Sequence, residues 1–448
     1  MKTKLTVDLE NYVGCIRPLH GMNDSARAFL WADLYPEFKE LNIPIVRLHD
    51  IGGAYGGMRY VDIPNVFPDF NADPDDEASY DFTLTDMYIK YLVEAGCEVM
   101  YRLGVTIENA PVKYRIFPPS DPYKWADICE HIVRHYNNGW ANGYHWNIKY
   151  WEIWNEPDGT DPHITSYGPP MWKGTPEQYY ELYSITTNHI KKLHPDVKVG
   201  GYSACMATGS FKNGSWTFGL TEYIENFFRY ITDEKTRAPL DFFSWHVYID
   251  HNIKRISYES DFVQSMLDRY GFSEAENLNT EWNVYLSRNT DERYAFMRNE
   301  KGASHCAAAL CEMQNNGNVT SAMYYRGTVD TNYGSLFTAP PRKVTKAYRA
   351  FSFFNELYQL KNQCRLECDS DKLYALAASN GNEGLILLSN PEDDAIKVNI
   401  ISNVFSAKKI EISIVDTEND GETVEVSAQA LSSLPMSPYS IVMIRITK

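Results

Sequence analysis

Residues 148–156 read IKYWEIWNE, a run of apolar and aromatic residues that ends in an asparagine and a glutamate. A short run rich in Ile, Trp and Tyr that is bounded by turn residues is typical of a buried β-strand. Asn155 and Glu156 stand where that strand is expected to end. Because an ionised carboxylate resists removal from water, a glutamate beside two tryptophans must be paired, protonated or used in chemistry.

Seven further runs of this kind occur along the chain, and amphipathic helical patterns separate them. They are GCIRPLHG (14–21), IPIVRLHD (43–50), CEVMYRLG (97–104), VKVGGYSAC (197–205), LDFFSWHVY (240–248), NLNTEWNV (277–284) and SAMYYRGT (321–328). Eight strands that alternate with helices over about 330 residues predict an α/β fold, a (β/α)8 barrel. A doubly wound open sheet is the alternative, but no GxGxxG or GxxxxGK motif follows any of these strands.

The best-defined helices are predicted at 81–96, 121–139 and 175–195. Asp121 and Thr175 are the expected N-caps of the second and third, because their side chains accept hydrogen bonds from the first-turn amides.

The pattern changes after residue 356, where short alternating runs replace the helical ones. Turn residues separate these runs at intervals of about 8–12 residues, which predicts a small accessory β-sandwich domain. The stretch KLTVDLE (4–10) is expected to add a strand to it. The predicted organisation is therefore an N-terminal strand (1–13), a barrel (14–356) and a C-terminal sandwich (357–448).

The formal net charge is −17 at pH 7, from 42 basic and 59 acidic residues. This acidity argues against nucleic acid or an anionic membrane surface as a partner. The chain has no 18-residue apolar stretch, and no apolar segment follows the first lysines, so neither a membrane span nor a secretory signal is expected. The eight cysteines lack CxxC pairs and are expected to be reduced thiols of a cytoplasmic protein.

In a barrel of this class the chemistry lies at the C-terminal ends of the strands. The polar side chains expected there are Arg47, His49, Asp50, Asn155, Glu156, His246, Tyr248, Glu281, Asn283, Tyr324, Tyr325 and Arg326. Glu156 and Glu281 are carboxylates that converge across one rim, which is the equipment that glycoside hydrolysis requires. For Glu152 we favour a surface salt bridge. For Arg47 a salt bridge under the barrel mouth and a role in framing the pocket stay open.

No metal or cofactor is expected, since His246 and His251 do not form an HExxH pattern. His131 and His135 lie at positions i and i+4 of a helix and are expected to be solvated on its outer face. The long segment ITSYGPPMWKG (164–174), which follows the fourth strand, is expected to wall the pocket.

The sequence resembles glycoside hydrolase family 39, the β-xylosidase and α-L-iduronidase family of clan A. The segments that carry this resemblance, in the family's order, are IVRLHD, KWADICEHIVRHY, YWEIWNEPDG, VKVGGYSAC, FFSWHVY, NTEWN and YGSLFT. The resemblance implies a barrel with an associated β-sandwich. It also implies that Glu156 is the general acid/base, that Glu281 is the nucleophile, and that Asn155 contacts the sugar 2-hydroxyl.

The other residues expected to bind the substrate, from the resemblance or from their places at strand ends, are His49, His246, Tyr248, Trp282, Tyr325 and Arg326. Three positions depart from the family pattern. Trp245 precedes His246 where xylosidases of the family commonly have arginine, Trp282 stands where tyrosine is more usual, and Arg102-Leu103-Gly104 replaces a Glu-containing stretch. These departures put the sugar specificity in question more than the mechanism.

The resulting expectation is a retaining, exo-acting, β-xylosidase-like enzyme for plant-type oligosaccharides, with its two carboxylates about 5–5.5 Å apart. The alternatives are an arabinosidase, galactosidase, glucosidase or endo-acting hydrolase, and a catalytically silent sugar-binding barrel. The expected partner is an oligosaccharide or glycoside substrate, and assembly into a homo-oligomer stays open.

Overall fold

The computed structural model describes residues 2–26, 34–51, 59–108, 112–160, 171–205, 211–212, 215–216, 221–287, 289–329, 333–334, 336–338, 343–402 and 407–448. In chain order the strands are β1 (Lys2–Cys15), β2 (Gly21–Asn23), β3 (Ile45–Leu48), β4 (Glu98–Leu103), β5 (Tyr150–Ile153), β6 (Lys198–Ala204), β7 (Phe211–Lys212), β8 (Ser215–Trp216), β9 (Phe242–Ile249), β10 (Glu276–Val284), β11 (Ser321–Tyr324), β12 (Phe337–Thr338), β13 (Lys343–Val344), β14 (Asn362–Cys368), β15 (Tyr374–Ser379), β16 (Glu383–Asn390), β17 (Ile396–Ser402), β18 (Lys409–Val415), β19 (Asp420–Glu425), β20 (Leu434–Met436) and β21 (Ser440–Thr447).

The α-helices are α1 (Pro36–Glu40), α2 (Ile63–Val66), α3 (Thr83–Glu94), α4 (Pro122–Asn138), α5 (Pro176–Leu193), α6 (Thr221–Thr232), α7 (Arg255–Arg269), α8 (Thr290–Phe296), α9 (Glu300–Asn316), α10 (Lys346–Leu360) and α11 (Ala428–Leu431). The predicted caps are present. Asp121 accepts hydrogen bonds from two first-turn amides of α4, and Thr175 forms a capping box with Gln178 at the start of α5. None of the described helices is long and apolar enough to cross a membrane.

Eight strands close into a barrel in the order β2-β3-β4-β5-β6-β9-β10-β11, with all neighbours parallel, which confirms the predicted (β/α)8 barrel. The register places Glu281 beside His246 and Asn283 beside Tyr248 on the neighbouring strands β10 and β9. Thr280 is an extra residue at a bulge in this pairing. Bulges re-aim side chains, and this one lies directly before Glu281.

The first barrel strand differs from the prediction at 14–21. The barrel strand is Gly21–Asn23, and β1 continues to Cys15 within the accessory sheet. Pro18 has no backbone N–H to donate to a strand ladder. Arg17 instead ties this crossing segment to α9, since its Nη2 donates to the carbonyls of Met313 and Gln314 at 2.6 Å each.

The accessory β domain is confirmed as one continuous, curled sheet in the order β19-β18-β21-β16-β15-β14-β1-β17-β20. Strand β1 lies between β14 and β17, antiparallel to the first and parallel to the second. Leu5, Val7 and Leu9 alternate into its apolar core, which is separate from that of the barrel. Strand β1 ends at Cys15 and helix α10 ends at Leu360. The domain boundaries predicted at residues 13 and 356 stay predictions.

The expectation that His131 and His135 are solvated is wrong, since they are only 4% and 1% exposed. Aromatic rings cover this face of α4. Phe82 stacks on His135 with ring centroids 3.6 Å apart, and Trp140 packs edge-on against His131 at 4.6 Å. The i, i+4 spacing places both histidines on one face of α4, and that face is covered by Phe82 and by Trp140, which follows the end of the helix.

Candidate active site

Arg47, at the end of β3, organises a fully buried polar cluster inside the mouth of the barrel. Its guanidinium donates five hydrogen bonds, which use all five of its N–H groups. The acceptors are Glu152 Oε2 (2.6 Å), Asn23 Oδ1 (3.0 Å), Glu281 Oε1 (3.0 Å), Asn155 Oδ1 (2.7 Å) and Ser203 Oγ (2.7 Å). Arg47 therefore frames the pocket, and the surface salt bridge favoured for Glu152 is wrong, because Glu152 is completely buried against Arg47.

Glu281, just after the bulge in β10, is held from both sides. Its Oε1 accepts from Arg47 Nη1 at 3.0 Å, and its Oε2 accepts from the phenol of Tyr248 at 2.7 Å. Burial raises the pKa of Glu281, while His246, Arg47 and the Tyr248 hydrogen bond oppose that rise. Burial also raises the pKa of Tyr248, so its phenol stays protonated and donates.

Glu156 follows β5 and has a positive φ of 47°. Its backbone N–H donates to the carbonyl of Ser203 at 3.0 Å, which ties the turn to β6. Its side chain is 16% exposed, compared with 5% for Glu281. Burial raises the pKa of Glu156 to about 7, against the opposing effects of the Arg47 charge and a hydrogen bond from Cys205. Glu156 is thus the carboxyl that opens towards the pocket and titrates near neutrality.

His246, on β9, lies between the two carboxylates. Its Nδ1 is 2.7 Å from Glu156 Oε1 and 3.6 Å from Glu281 Oε2. Burial lowers the pKa of His246 to about 4, so the imidazole is neutral at pH 7. One oxygen from each glutamate and a ring nitrogen of His246 all lie within 4.8 Å of one another. This short separation agrees with the retaining geometry, and inverting enzymes have a spacing of about 6.5–9.5 Å.

The same three side chains form, among the residues that the structure describes, the one group of three whose ligand atoms lie close enough to hold a metal ion. Their geometry also fits an acid–base pair with a bridging histidine, which needs no metal.

A second group of polar side chains is built around Asp50, which follows β3. The phenol of Tyr325 donates to Asp50 Oδ2 at 2.6 Å, and Arg326 Nη1 donates to its backbone carbonyl at 3.1 Å. His49 is fully buried, with Nε2 3.4 Å from Asp50 Oδ1 and 3.7 Å from Glu281 Oε1. Burial lowers the pKa of His49 well below its usual value. The expected substrate-binding residues His49, Tyr325 and Arg326 are therefore brought together beside Glu281.

Trp282 is the exception among the predicted site residues. Successive residues of a strand face opposite sides, so Trp282 points outward where Glu281 points inward. Its ring stacks on Phe351 of α10 with centroids 5.9 Å apart and packs edge-on against Tyr324 at 5.1 Å. The prediction that Trp282 contacts the substrate is therefore contradicted by its position between the barrel and α10.

Sequence reasoning missed the small polar residues of the cluster, Asn23 and Ser203. Ser203 lies within the stretch VKVGGYSAC, which the strand pattern identified, but a buried serine gives no signal by itself. The pocket-wall segment predicted at 164–174 lies mostly outside the described residues, which resume at Met171.

A closed (β/α)8 barrel with two close carboxylates at the C-terminal ends of its strands is the arrangement that retaining glycoside hydrolases use. The sequence model of glycosyl hydrolases family 39 matches residues 54–283, which is just over half of the 448-residue chain. The chain belongs to glycosyl hydrolase family 39.

Two curated relatives are β-xylosidases. The one from Caldicellulosiruptor saccharolyticus is 26% identical over 180 residues, which cover 38% of this chain and 31% of that protein. The one from Geobacillus stearothermophilus is 24% identical over 210 residues, which cover 43% of this chain and 36% of that protein. Each match thus spans only about a third of the relative's length.

Solved structures match the chain from end to end. A glucosidase from Croceicoccus marinus superposes with a TM-score of 0.73 at 21% identity, covering 100% of this chain and 99% of the other. An α-L-arabinofuranosidase from Thermotoga maritima does so with a TM-score of 0.67 at 16% identity, covering 100% of both chains. At these identities the likeness shows the shared fold, a barrel with an accessory β domain.

Proposed function

We propose that this protein is a retaining O-glycoside hydrolase in which Glu281 is the nucleophile and Glu156 the general acid/base. The observation that carries the proposal is the close pair of carboxyls with unequal partners. Glu281 accepts from a guanidinium and a phenol, whereas Glu156 faces a neutral imidazole and the pocket opening.

The unequal partners decide which carboxyl carries the proton. Two carboxylates this close do not both ionise easily in a buried site, so they titrate as a coupled pair. The positive charge of Arg47 lies on Glu281 at 3.0 Å, which favours the anion there. The pKa of Glu156 near 7 keeps a large fraction of it protonated at neutral pH. The pair therefore begins the reaction as an anionic Glu281 and an acidic Glu156.

In the first step Glu281 attacks the anomeric carbon, the bond to the aglycone oxygen breaks, and Glu156 gives its proton to that oxygen. In the second step Glu156, now ionised, takes a proton from a water molecule that attacks the same carbon. The bond between the sugar and Glu281 then breaks, and both carboxyls return to their starting states.

The pocket suits a neutral sugar. Asn155 Nδ2 is buried and has no hydrogen-bond partner among the described residues, so it is available to the 2-hydroxyl of a substrate. His49 is neutral, and the positive charges of Arg47 and Arg326 are matched by nearby carboxylates. We favour a β-xylosidase-like, exo-acting specificity because the curated relatives are β-xylosidases. A glucosidase or an arabinofuranosidase is the alternative, since those enzymes share the fold.

We also propose a cytoplasmic location, which the eight free cysteines support. That the protein has no nucleic-acid or membrane partner stays a prediction. Assembly into a homo-oligomer stays open.

The test is hydrolysis of a panel of nitrophenyl glycosides by the wild type, Glu156→Ala and Glu177→Ala. Glu177 lies in the exposed first turn of α5 and serves as the matched control. We expect turnover of the β-xyloside, with azide rescuing Glu156→Ala and giving the β-glycosyl azide. Full activity of Glu156→Ala without azide would contradict its role. Folded wild-type protein that is inactive on every sugar would favour the silent or endo-acting alternatives.

A further inference from the structure

Ser203 and His246 connect the Arg47 guanidinium to the Glu156 carboxyl in one buried chain of hydrogen bonds. Arg47 Nη2 lies 2.7 Å from Ser203 Oγ, and Ser203 Oγ lies 2.7 Å from His246 Nε2. His246 Nδ1 in turn lies 2.7 Å from Glu156 Oε1. Arg47, Ser203 and His246 are each fully buried, so water does not compete for these contacts.

The guanidinium at one end of this hydrogen-bond chain indicates in which direction each proton is donated. A guanidinium only donates, so Ser203 Oγ accepts from Arg47 and keeps its own proton to give. The two acceptors within reach are His246 Nε2 at 2.7 Å and Asn155 Oδ1 at 3.2 Å. The serine proton goes to the shorter of these two contacts, the one to His246 Nε2, while Asn155 Oδ1 accepts from Arg47 Nη2 at 2.7 Å. A neutral imidazole carries a single N–H, which is then on Nδ1 and faces Glu156.

The backbone aims Ser203 into the barrel. Ser203 is the extra residue in the pairing of β6 with β9, where Tyr202 pairs with Ser244 and Ala204 with Trp245. Its φ is 61°, in the left-handed region that a serine rarely adopts. The strand thus accepts a costly conformation at the residue whose hydroxyl meets His246 and whose carbonyl accepts the Glu156 N–H at 3.0 Å.

We propose that Ser203 is a positioning residue: its hydroxyl selects the His246 tautomer whose Nδ1–H donates to Glu156 Oε1. This rests on the proposed function of Glu156. The other oxygen, Oε2, is then the one left to exchange a proton with the aglycone oxygen and with water. When Glu156 is ionised after the first step, the same Nδ1–H stabilises its negative charge.

The groups that act on Glu156 come from several strands. They are Arg47 and Asp50 at the end of β3, Cys205 after β6, His246 on β9 and Glu281 on β10. Removing the serine hydroxyl takes one acceptor from Arg47, which keeps its four other hydrogen bonds, and it removes the one serine contact of His246 Nε2. The other groups that act on Glu156 make no contact with this hydroxyl in the chain described above.

The first test measures the tautomer directly. Nitrogen-15 NMR of the histidine rings distinguishes protonated from unprotonated nitrogens, and the His246 signals are assigned by their loss in His246→Gln. We expect Nδ1–H in the wild type and a reduced Nδ1–H population in Ser203→Gly, which removes the hydroxyl while tolerating the positive φ. An Nε2–H signal in the wild type, or an unchanged tautomer in Ser203→Gly, would overturn the proposal even if no substrate is found.

The second test is the pH profile of kcat/KM. Without the Nδ1–H donor the basic limb, set by Glu156, is expected to move up by about 0.5–1 pH unit, and the acid limb to stay in place. Ser184→Ala is the matched control, since Ser184 is buried in α5 and donates to the Thr236 carbonyl far from the site. A uniform loss of rate without a shift of the basic limb would show a merely structural role. Failure of the proposed function would instead appear as a wild type with no activity.

Discussion

Two buried carboxyl clusters in this protein contrast with each other, one on the outer helices and one in the barrel mouth. Glu130 of α4 is 1% exposed, and it accepts from Arg134 at 2.6 and 3.1 Å and contacts His194 at 2.6 Å. Burial alone would raise the pKa of Glu130, but these hydrogen bonds outweigh it and lower the pKa. Burial prevails at Glu156, whose pKa rises to about 7. A carboxyl saturated with donors is fixed as an anion, and one left short of donors can move a proton.

The largest effect on activity is expected when one glutamate of each cluster is replaced by glutamine. Glu281→Gln removes the nucleophile, so we expect kcat to fall by about 10⁴-fold or more. Glu130→Gln is expected to retain the wild-type kcat and to lower the free energy of unfolding. Steady-state kinetics and urea unfolding of both variants check this. A comparable loss of kcat in both would mean that the contrast between the clusters does not separate chemistry from stability.

The arginines of the two clusters give the next comparison. Arg47→Met leaves Glu152 and Glu281 without their buried partner, which is expected to cost about 3–5 kcal/mol of unfolding free energy. The side chain of Arg134 is 37% exposed, and Arg134→Met is expected to cost about 1 kcal/mol or less. Urea denaturation measures both. Equal costs would refute the view that Arg47 compensates buried charge.

The buried neutral histidines predict how stability depends on pH. Burial lowers the pKa of His20 from 6.5 to about 3, and this residue lies outside the active site, against Phe354 and Tyr358. Between pH 6.5 and about pH 3, His20 is protonated in the unfolded chain but neutral in the folded protein. The free energy of unfolding therefore falls as the pH drops below about 6.5. The slope for one such group is at most about 1.4 kcal/mol per pH unit. His20→Gln should flatten the profile, measured by urea unfolding from pH 7 to 4, and an unchanged slope would contradict this.

The smallest effect on activity is expected at Trp282. Because its ring packs against Phe351 outside the pocket, Trp282→Phe should cost about 1–3 kcal/mol of stability. Its KM should stay within about twofold of the wild-type value. Thermal unfolding and steady-state kinetics of Trp282→Phe measure both quantities. A large rise in KM with unchanged stability would contradict this prediction and indicate that Trp282 contacts the substrate.

The sequence predicted the barrel because its signals are local. Strand runs, caps such as Asp121 and Thr175, and polar residues at strand ends can each be read within a short window. The sequence also predicts that Glu156 and Glu281 lie at the same rim, since the C-terminal ends of barrel strands share one face. The environment of those carboxyls is not local, because the five acceptors of Arg47 come from four other strands or strand ends.

The errors have the same cause. The sequence predicts a salt bridge on the surface for Glu152 because no nearby residue pairs with it, and it places Trp282 in the pocket because Trp282 neighbours Glu281. In each case the deciding contact is distant in the chain: Arg47 for Glu152, and Phe351 for Trp282. The positive φ of Ser203 and the bulge in β6 were likewise invisible in the sequence.

The role of Glu281 as the nucleophile is tested most directly by trapping the glycosyl-enzyme with a 2-deoxy-2-fluoro glycoside of the sugar that the panel identifies. Peptide mass spectrometry then locates the adduct. We expect one sugar attached to the peptide that contains Glu281, formed as activity is lost. Attachment to another residue such as Asp50 or Glu156, or turnover of the fluoro sugar to an inverted product without any adduct, would contradict it.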